Sequence, residues 1–436
     1  MNKSVVVLLS ILLALNCSAC KNIEQVEKST DIKEMTIDET IEHSTEGIFI
    51  GEDIIGNDRI DEDLTDVIET GENIETSELE TEVQKTEKST GTEEGNSITL
   101  VMVGDMLMHT PVNETGVMED GSINFSHLFT HTKDMIEGAD LAIVNQEVIL
   151  GGEELGISGY PAFNTYQEFG DDLVDAGFDV VLHATNHALD KGKKGILSCL
   201  SYWESTYPEI AVLGIQDTAE EQDEIYIYEE NNICIAVLNY TYGTNGIPLP
   251  EDMPYAVNMM DKERMAEDIG RAKEIADFVV VCPHWGTEYV LEETDYQRNY
   301  AEFFLDCGVD LVIGTHPHVI EPIELYTDEN GHEMLVYYSL GNYVNCTSSE
   351  NEDIGQRMLG AMAEVTITKD EGGDIYISEY GAQPLVTYVS NDQDEITVYP
   401  LEQFTDEMAL NSYTANFDTD FSKTYCEKLW ESVMGE

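Results

Sequence analysis

Five apolar runs along the chain each stop at a polar side chain. Residues 98–104 lead to Asp105, 140–146 to Glu147, 179–185 to Asn186 and His187, 277–283 to His284, and 310–315 to His316 and His318. Short apolar runs of this kind read as buried strands, so each run places a carboxylate, carboxamide or imidazole at a strand end. Helical spacing fills the gaps: 166–176, a segment through Ile196, Leu200 and Trp203, 262–276 and 296–306. Further strands are predicted at 210–213, 335–339, and in a hairpin whose arms, 226–229 and 233–239, flank Glu230, Asn231 and Asn232. Residues 361–368 and 374–380 read as antiparallel strands around the Glu371-Gly372-Gly373 turn. The pattern predicts an α/β fold that becomes antiparallel toward the C-terminus.

The pattern changes at both ends of this region. Residues 21–96 carry Glu, Thr, Asp and Ser with isolated Ile and few aromatics. Such a stretch buries too little apolar surface to offset its chain entropy and reads as a disordered acidic linker. Ahead of it, Lys3, an apolar core from Val5 to Leu15 and the segment Cys17-Ser18-Ala19-Cys20 form a leader of about twenty residues. Its core is too short for a membrane-spanning helix. Ser18-Ala19-Cys20 resembles a bacterial lipobox, which makes Cys20 the candidate lipidated N-terminus; plain signal-peptidase cleavage and secretion is the alternative, since Cys17 stands where such signals carry Leu. The expected organisation is therefore a leader (1–20), a linker (21–96), a folded domain (97–400) and a C-terminal extension (401–436) with a short helix near 429–434. The six cysteines outside the leader show no paired spacing that would define a disulfide framework.

Charge narrows the partners. The 88 acidic against 20 basic residues give a formal charge of −68, which excludes a general nucleic-acid binder because polyphosphate is repelled at long range. A short basic run, Lys191, Lys193 and Lys194, with Arg298 elsewhere, supplies candidates for contact with an anion; a solvated helix start is the competing reading of the run.

The polar strand ends have the composition of a metal-dependent hydrolytic site, which needs carboxylate or other oxygen donors and neutral imidazoles. Asp105 and Glu147 are the candidate carboxylate ligands, Asn186 a neutral oxygen donor, and His284, His316 and His318 the imidazole ligands. His187 is placed to act as an acid or to stabilise developing charge, with Asp190 either orienting it or forming a loop-ordering pair with it. Asp105 as a helix cap and His284 as a packed core residue remain open. The His316-Pro317-His318 turn forms a rigid imidazole pair because proline fixes its own φ. His109 either reaches the site or faces solvent, and His183 reads as core.

In order, Val103-Gly104-Asp105-Met106-Leu107-Met108-His109, Asn145-Gln146-Glu147, Thr185-Asn186-His187-Ala188-Leu189-Asp190, His284-Trp285-Gly286-Thr287-Glu288-Tyr289, residues 314–318 and Tyr338-Ser339-Leu340-Gly341-Asn342-Tyr343 resemble the motifs of the CapA capsule-synthesis family. That family is similar in fold to the calcineurin-like metallophosphoesterases, which implies a two-sheet α/β/β/α sandwich. The resemblance also implies one or two divalent ions (Mn, Fe or Zn) on Asp105, Glu147, Asn186, His284, His316 and His318, with His187 as the catalytic His. Leu107 occupies the place of a further His in the phosphoesterase pattern, which weakens one ion site. The implied role is synthesis, export or trimming of poly-gamma-glutamate by a lipid-anchored protein on the extracellular face of the bacterial cytoplasmic membrane, beside capsule synthase membrane subunits. A secreted metallophosphoesterase acting on a small phosphate ester and a non-catalytic assembly subunit are the alternatives.

Overall fold

The computed structural model describes residues 96–346 and 353–435. The leader, Cys20 and the acidic stretch up to residue 95 lie outside the described residues.

Two sheets carry the architecture. In the first, β1 (Ser97–Met106), β2 (Leu141–Asn145), β3 (Val180–Leu182) and β4 (Ala211–Leu213) run parallel in that order. In the second, β5 (Tyr226–Glu230) pairs antiparallel with β6 (Ile233–Thr241), and β6, β7 (Phe278–His284) and β8 (Leu311–Ile313) run parallel. The outer part of this sheet is β10 (Glu333–Tyr337), parallel to β8, and β9 (Ile323–Thr327), antiparallel to β10. The chain then returns to the first sheet. β11 (Asn342–Val344) pairs with the end of β1, and β12 (Leu359–Lys369), β13 (Ile375–Val389) and β14 (Ile396–Pro400) extend it antiparallel on the other side of β1. The two-sheet sandwich and its antiparallel C-terminal strands are those the sequence predicts.

The apolar runs are continuous because the strands are covered on both faces. In β6, Ile235 and Val237 join the core between the sheets, whereas Ala236 and Leu238 join a second core on the outer face, against Met265, Ile269 and Phe304 of the helices Lys262–Ile275 and Asp295–Cys307. That two-residue alternation is the strand period. Asn231 and Asn232, with φ of 53° and 60°, close the predicted hairpin by a turn that only left-handed residues permit. The predicted C-terminal helix is longer than expected, Lys423–Met434, because the Ser422 side chain accepts from the Tyr425 N–H and starts it earlier. Its Cys426 and Trp430 pack into the larger hydrophobic core.

One buried group outside the candidate site gives the fold a pH dependence. Glu321 is fully buried, held by the Gln297 amide on one oxygen and without a hydrogen-bond partner among the described residues on the other. Burial, with Glu293 nearby, pushes its carboxyl up to about 9 against the Gln297 bond. A carboxyl raised in the folded state favours folding fully only below the unfolded value of about 4.3, and that contribution is lost as pH rises through 9. Glu321→Gln is therefore expected to raise stability at pH 8 by more than about 1 kcal/mol and to leave it nearly unchanged at pH 4. Urea unfolding at the two pH values measures this; equal effects at both would refute it.

Candidate metal centre

The candidate ligands leave the carboxyl ends of parallel strands, where ligands of open α/β sheets bind. Asp105 ends β1, Glu147 follows β2, and Asn186 follows β3, all in the first sheet. His284 ends β7, and His316 and His318 follow β8, in the second. The first sheet thus contributes oxygen donors and the second imidazoles, and the two sets meet across the sandwich.

Asp105 is fixed from several sides. Its Oδ1 accepts from Asn145 Nδ2 (2.8 Å), and its Oδ2 accepts from the His316 backbone N–H (3.3 Å) and faces His318 Nδ1 (3.0 Å). Its own N–H donates to the Gly341 carbonyl (2.9 Å). That approach requires Gly104: a Cβ there would lie 1.9 Å from the same carbonyl oxygen. His284 Nδ1 lies 2.9 Å from Thr315 Oγ1, and its Nε2 lies 2.9 Å from Asn186 Oδ1. His316 and His318 adopt φ of 101° and 60°, a backbone region costly for residues with a Cβ. Strain of this kind persists where surrounding contacts hold it, here the Asp105 bonds and Asn342, whose Nδ2 donates to the His318 carbonyl (3.0 Å).

Glu147 lies at the middle. It is fully buried, and neither carboxyl oxygen has a hydrogen-bond partner among the described residues. Its Oε1 has three imidazole nitrogens around it: His284 Nε2 at 3.7 Å, His318 Nε2 at 3.8 Å and His187 Nε2 at 4.0 Å. Two groups share it, Glu147 with His316 and His318, and Glu147 with Asp105 and His284; within each the ligand atoms lie within 4.8 Å of one another.

Burial pushes the Glu147 carboxyl well above the usual range, opposed by His318 and reinforced by Asp105. Burial also drives His284 and His316 well below the ordinary imidazole value, and neighbouring imidazoles add to the effect. Burial would lower His318 too, but Glu147 and Asp105 outweigh it and hold it up at about 9. A buried carboxyl with no hydrogen-bond partner among the described residues, beside the neutral imidazoles of His284 and His316, belongs to a donor set whose mixed N and O atoms fit a divalent transition ion.

Asp190 Oδ2 accepts from the Phe163 N–H (2.7 Å) and lies 2.7 Å from His187 Nδ1. A carboxylate there keeps the proton on Nδ1, which leaves the Nε2 lone pair facing Glu147. Asp190 therefore positions His187. Leu107, two residues after Asp105, is a core side chain. Among the basic candidates, Lys191 donates to Ser158 Oγ (2.8 Å), Lys193 pairs with Asp252 (2.6 Å), and Arg298 is held by Glu293 and Asp295. Lys194 lies on the helix Gly192–Thr206.

The structure also gathers residues that sequence reading passed over. Asn145, Thr315 and Asn342 orient candidate ligands, and Asn245 Oδ1 accepts from Asn186 Nδ2 (3.3 Å). All three orienting residues lie inside motifs that the sequence displays, so their positions were visible though their partners were not. His109 turns inward: burial, with His318 and His187 close by, pushes it down to about 4. His183 is core, 3.6 Å from Cys199 Sγ. A cavity of about 580 Å³ lined by Trp203, Val212 and Tyr240 contains none of the ligand histidines.

By sequence, the chain is similar to proteins named for capsule synthesis. The chain is 36% identical over 173 residues to the PGA biosynthesis protein CapA of Bacillus subtilis, covering 39% of this chain and 44% of that protein. It is 27% identical over 260 residues to the capsule biosynthesis protein CapA of Bacillus anthracis, covering 58% and 60%. The chain thus spans about half the length of the curated relatives it matches. Among solved structures, a 5'-nucleotidase precursor from Thermus thermophilus aligns with a TM-score of 0.40 at 13% identity, covering 66% of this chain and 54% of that one. The NAD nucleotidase of Haemophilus influenzae aligns with a TM-score of 0.41 at 13% identity, covering 77% and 66%. Residues 99–347, more than half of the chain, match the family model described as bacterial capsule synthesis protein PGA_cap, and the chain belongs to that family.

Proposed function

We propose that this protein acts in the synthesis, export or trimming of an anionic capsule polymer, poly-gamma-glutamate, through a metal-dependent hydrolase-like site. We further propose that a lipid on Cys20 and the acidic stretch after it hold the domain at the extracellular face of the bacterial cytoplasmic membrane, beside capsule synthase subunits. The family and the names of the two CapA relatives support the capsule role. The observation that supports the hydrolase-like reading is Glu147, a buried carboxyl with no hydrogen-bond partner among the described residues, ringed by imidazoles.

Asp105, Glu147, Asn186, His284, His316 and His318 would hold the ion, which when bound supplies Lewis-acid polarisation of the bond under attack. The other residues do conventional work. His187 Nε2 carries a proton to or from the reacting group, and Asp190 holds the ring in the tautomer that makes Nε2 available. Asn186 donates oxygen without adding negative charge, which keeps the centre electrophilic. The net charge of −68 opposes an incoming polyanion beyond the Debye length, so capture depends on screening and on local cationic side chains.

Metal analysis tests the site. The purified protein is expected to retain a divalent ion, and His316→Ala to bind it more than about tenfold more weakly. Unchanged metal content in that variant would remove the assignment. Shortening of a poly-gamma-glutamate chain by the metal-loaded protein is the expected activity; release of phosphate from small esters alone would favour a phosphoesterase. A protein with neither bound ion nor turnover would favour an assembly subunit.

A further inference from the structure

Four arginines lie among the described residues, and three of them are neutralised. Arg264 pairs with Asp223 and Asp268, Arg271 with Asp268, and Arg298 with Glu293 and Asp295. Arg357 is the exception. It is only 5% exposed, forms no ion pair with any described residue, and its buried Nε has no hydrogen-bond partner among them. In a protein with more than four acidic residues for each basic one, an unpaired buried guanidinium is anomalous, because burying a charge without a partner is costly.

Its surroundings place it beside the candidate metal centre. The guanidinium carbon lies 3.5 Å from the Tyr289 ring centroid, and that ring lies 6.0 Å from the His318 ring. Tyr289 is itself held in a left-handed conformation, φ 67°, by its N–H donating to the Pro317 carbonyl (2.8 Å), between the two ligand histidines. A second link runs through Asn342: its Nδ2 donates to the Arg357 carbonyl (2.9 Å) and to the His318 carbonyl (3.0 Å), and its Oδ1 lies 3.1 Å from His318 Nδ1. One carboxamide thus sets the spacing between Arg357 and a ligand. Glu288 and Asp353 sense the charge of Arg357 without contacting it.

We propose that Arg357, stacked on Tyr289, is an anion-recognition subsite beside the metal ligands, which takes a substrate group with two acceptor oxygens, a carboxylate or a phosphate. The planar guanidinium fork matches such a pair of oxygens, and the aromatic face keeps it flat and pre-organised. A local cation of this kind is what allows a strongly acidic protein to accept an anionic substrate. The role in turnover rests on the metal-centre reading; anion binding by Arg357 does not.

The test uses the full mature chain, loaded with Mn, and calorimetric titration with two probes, inorganic phosphate and tri-γ-glutamate. Wild type is expected to bind at least one of them, and the tighter probe identifies the source of the anion. Arg357→Gln is expected to weaken that probe at least tenfold with metal content unchanged, and Arg357→Lys, which keeps the charge but loses the fork, to fall between. Unchanged affinity in Arg357→Gln, or no binding of either probe by wild type, overturns the proposal. If the variants do not fold, wild-type crystals soaked in tungstate decide: density at the guanidinium supports the subsite, and its absence there overturns it. A protein that holds no divalent ion yet needs Arg357 to bind the probe would remove the metal reading and leave the subsite standing.

Discussion

Glu147→Gln is expected to weaken divalent-ion binding by at least about a hundredfold, and to make the metal-free protein more stable rather than less. Glu147 belongs to both groups of candidate ligands, so its loss removes a donor from each. Substitutions of residues that merely orient a ligand cost about 10–100-fold in affinity, and a shared carboxylate stands above that range. The opposite sign for stability follows from the orphaned oxygens. In the metal-free protein the carboxyl is buried with no hydrogen bond to any described residue, and burial holds it well above the usual range. A neutral carboxamide of the same size lowers that desolvation cost, a gain of about 1–2 kcal/mol. Elemental analysis of the purified variant and urea unfolding in EDTA measure the two effects. Undiminished metal content, or a destabilised metal-free variant, would contradict the assignment of Glu147 as the central ligand.

Gly104→Ala is expected to destabilise the fold by on the order of 3 kcal/mol or more and to disturb the ligands at the same time. The added methyl would lie 1.9 Å from the Gly341 oxygen and 3.0 Å from its carbonyl carbon, both backbone atoms with no rotamer to escape through. Relief requires the 340–342 segment to withdraw from β1. That withdrawal breaks the Asp105 N–H to Gly341 bond and pulls Asn342 away from His318. Alanine at Gly270, in the helix Lys262–Ile275, is the control: a Cβ there meets nothing within 4 Å, and stability should hold or rise slightly. A Gly104→Ala variant with wild-type unfolding midpoint and metal content would show that the β1–β11 crossing is less constrained than its geometry implies.

Much of this was legible along the chain. The parallel strands β1, β2, β7 and β8 announce themselves as apolar runs because both of their faces are buried, and the hairpin at Asn231 and Asn232 carries its turn chemistry locally. β9, β11 and β14 escaped. β11 is three residues long, and its pairing with the end of β1 depends on a segment more than two hundred residues away. Arg357 escaped for a related reason: it lies in a single 3-10 turn, Ile354–Met358, with no periodic signal. That it forms no ion pair with any described residue is a property of the neighbours that surround it.

Sequence by itself determined the chemistry of the ligand set: which strand ends carry oxygen or nitrogen donors, and that Pro317 separates two imidazoles by a stiff link. Local preference suffices there, since strand burial and proline geometry are set within a few residues. Only the tertiary structure decided that these donors share one centre, because three come from one sheet and three from the other, and their meeting depends on how the sheets pack. Among the described residues, the same packing left Glu147 without a hydrogen-bond partner and Arg357 without an ion pair, and both features arise from contacts that no local pattern encodes.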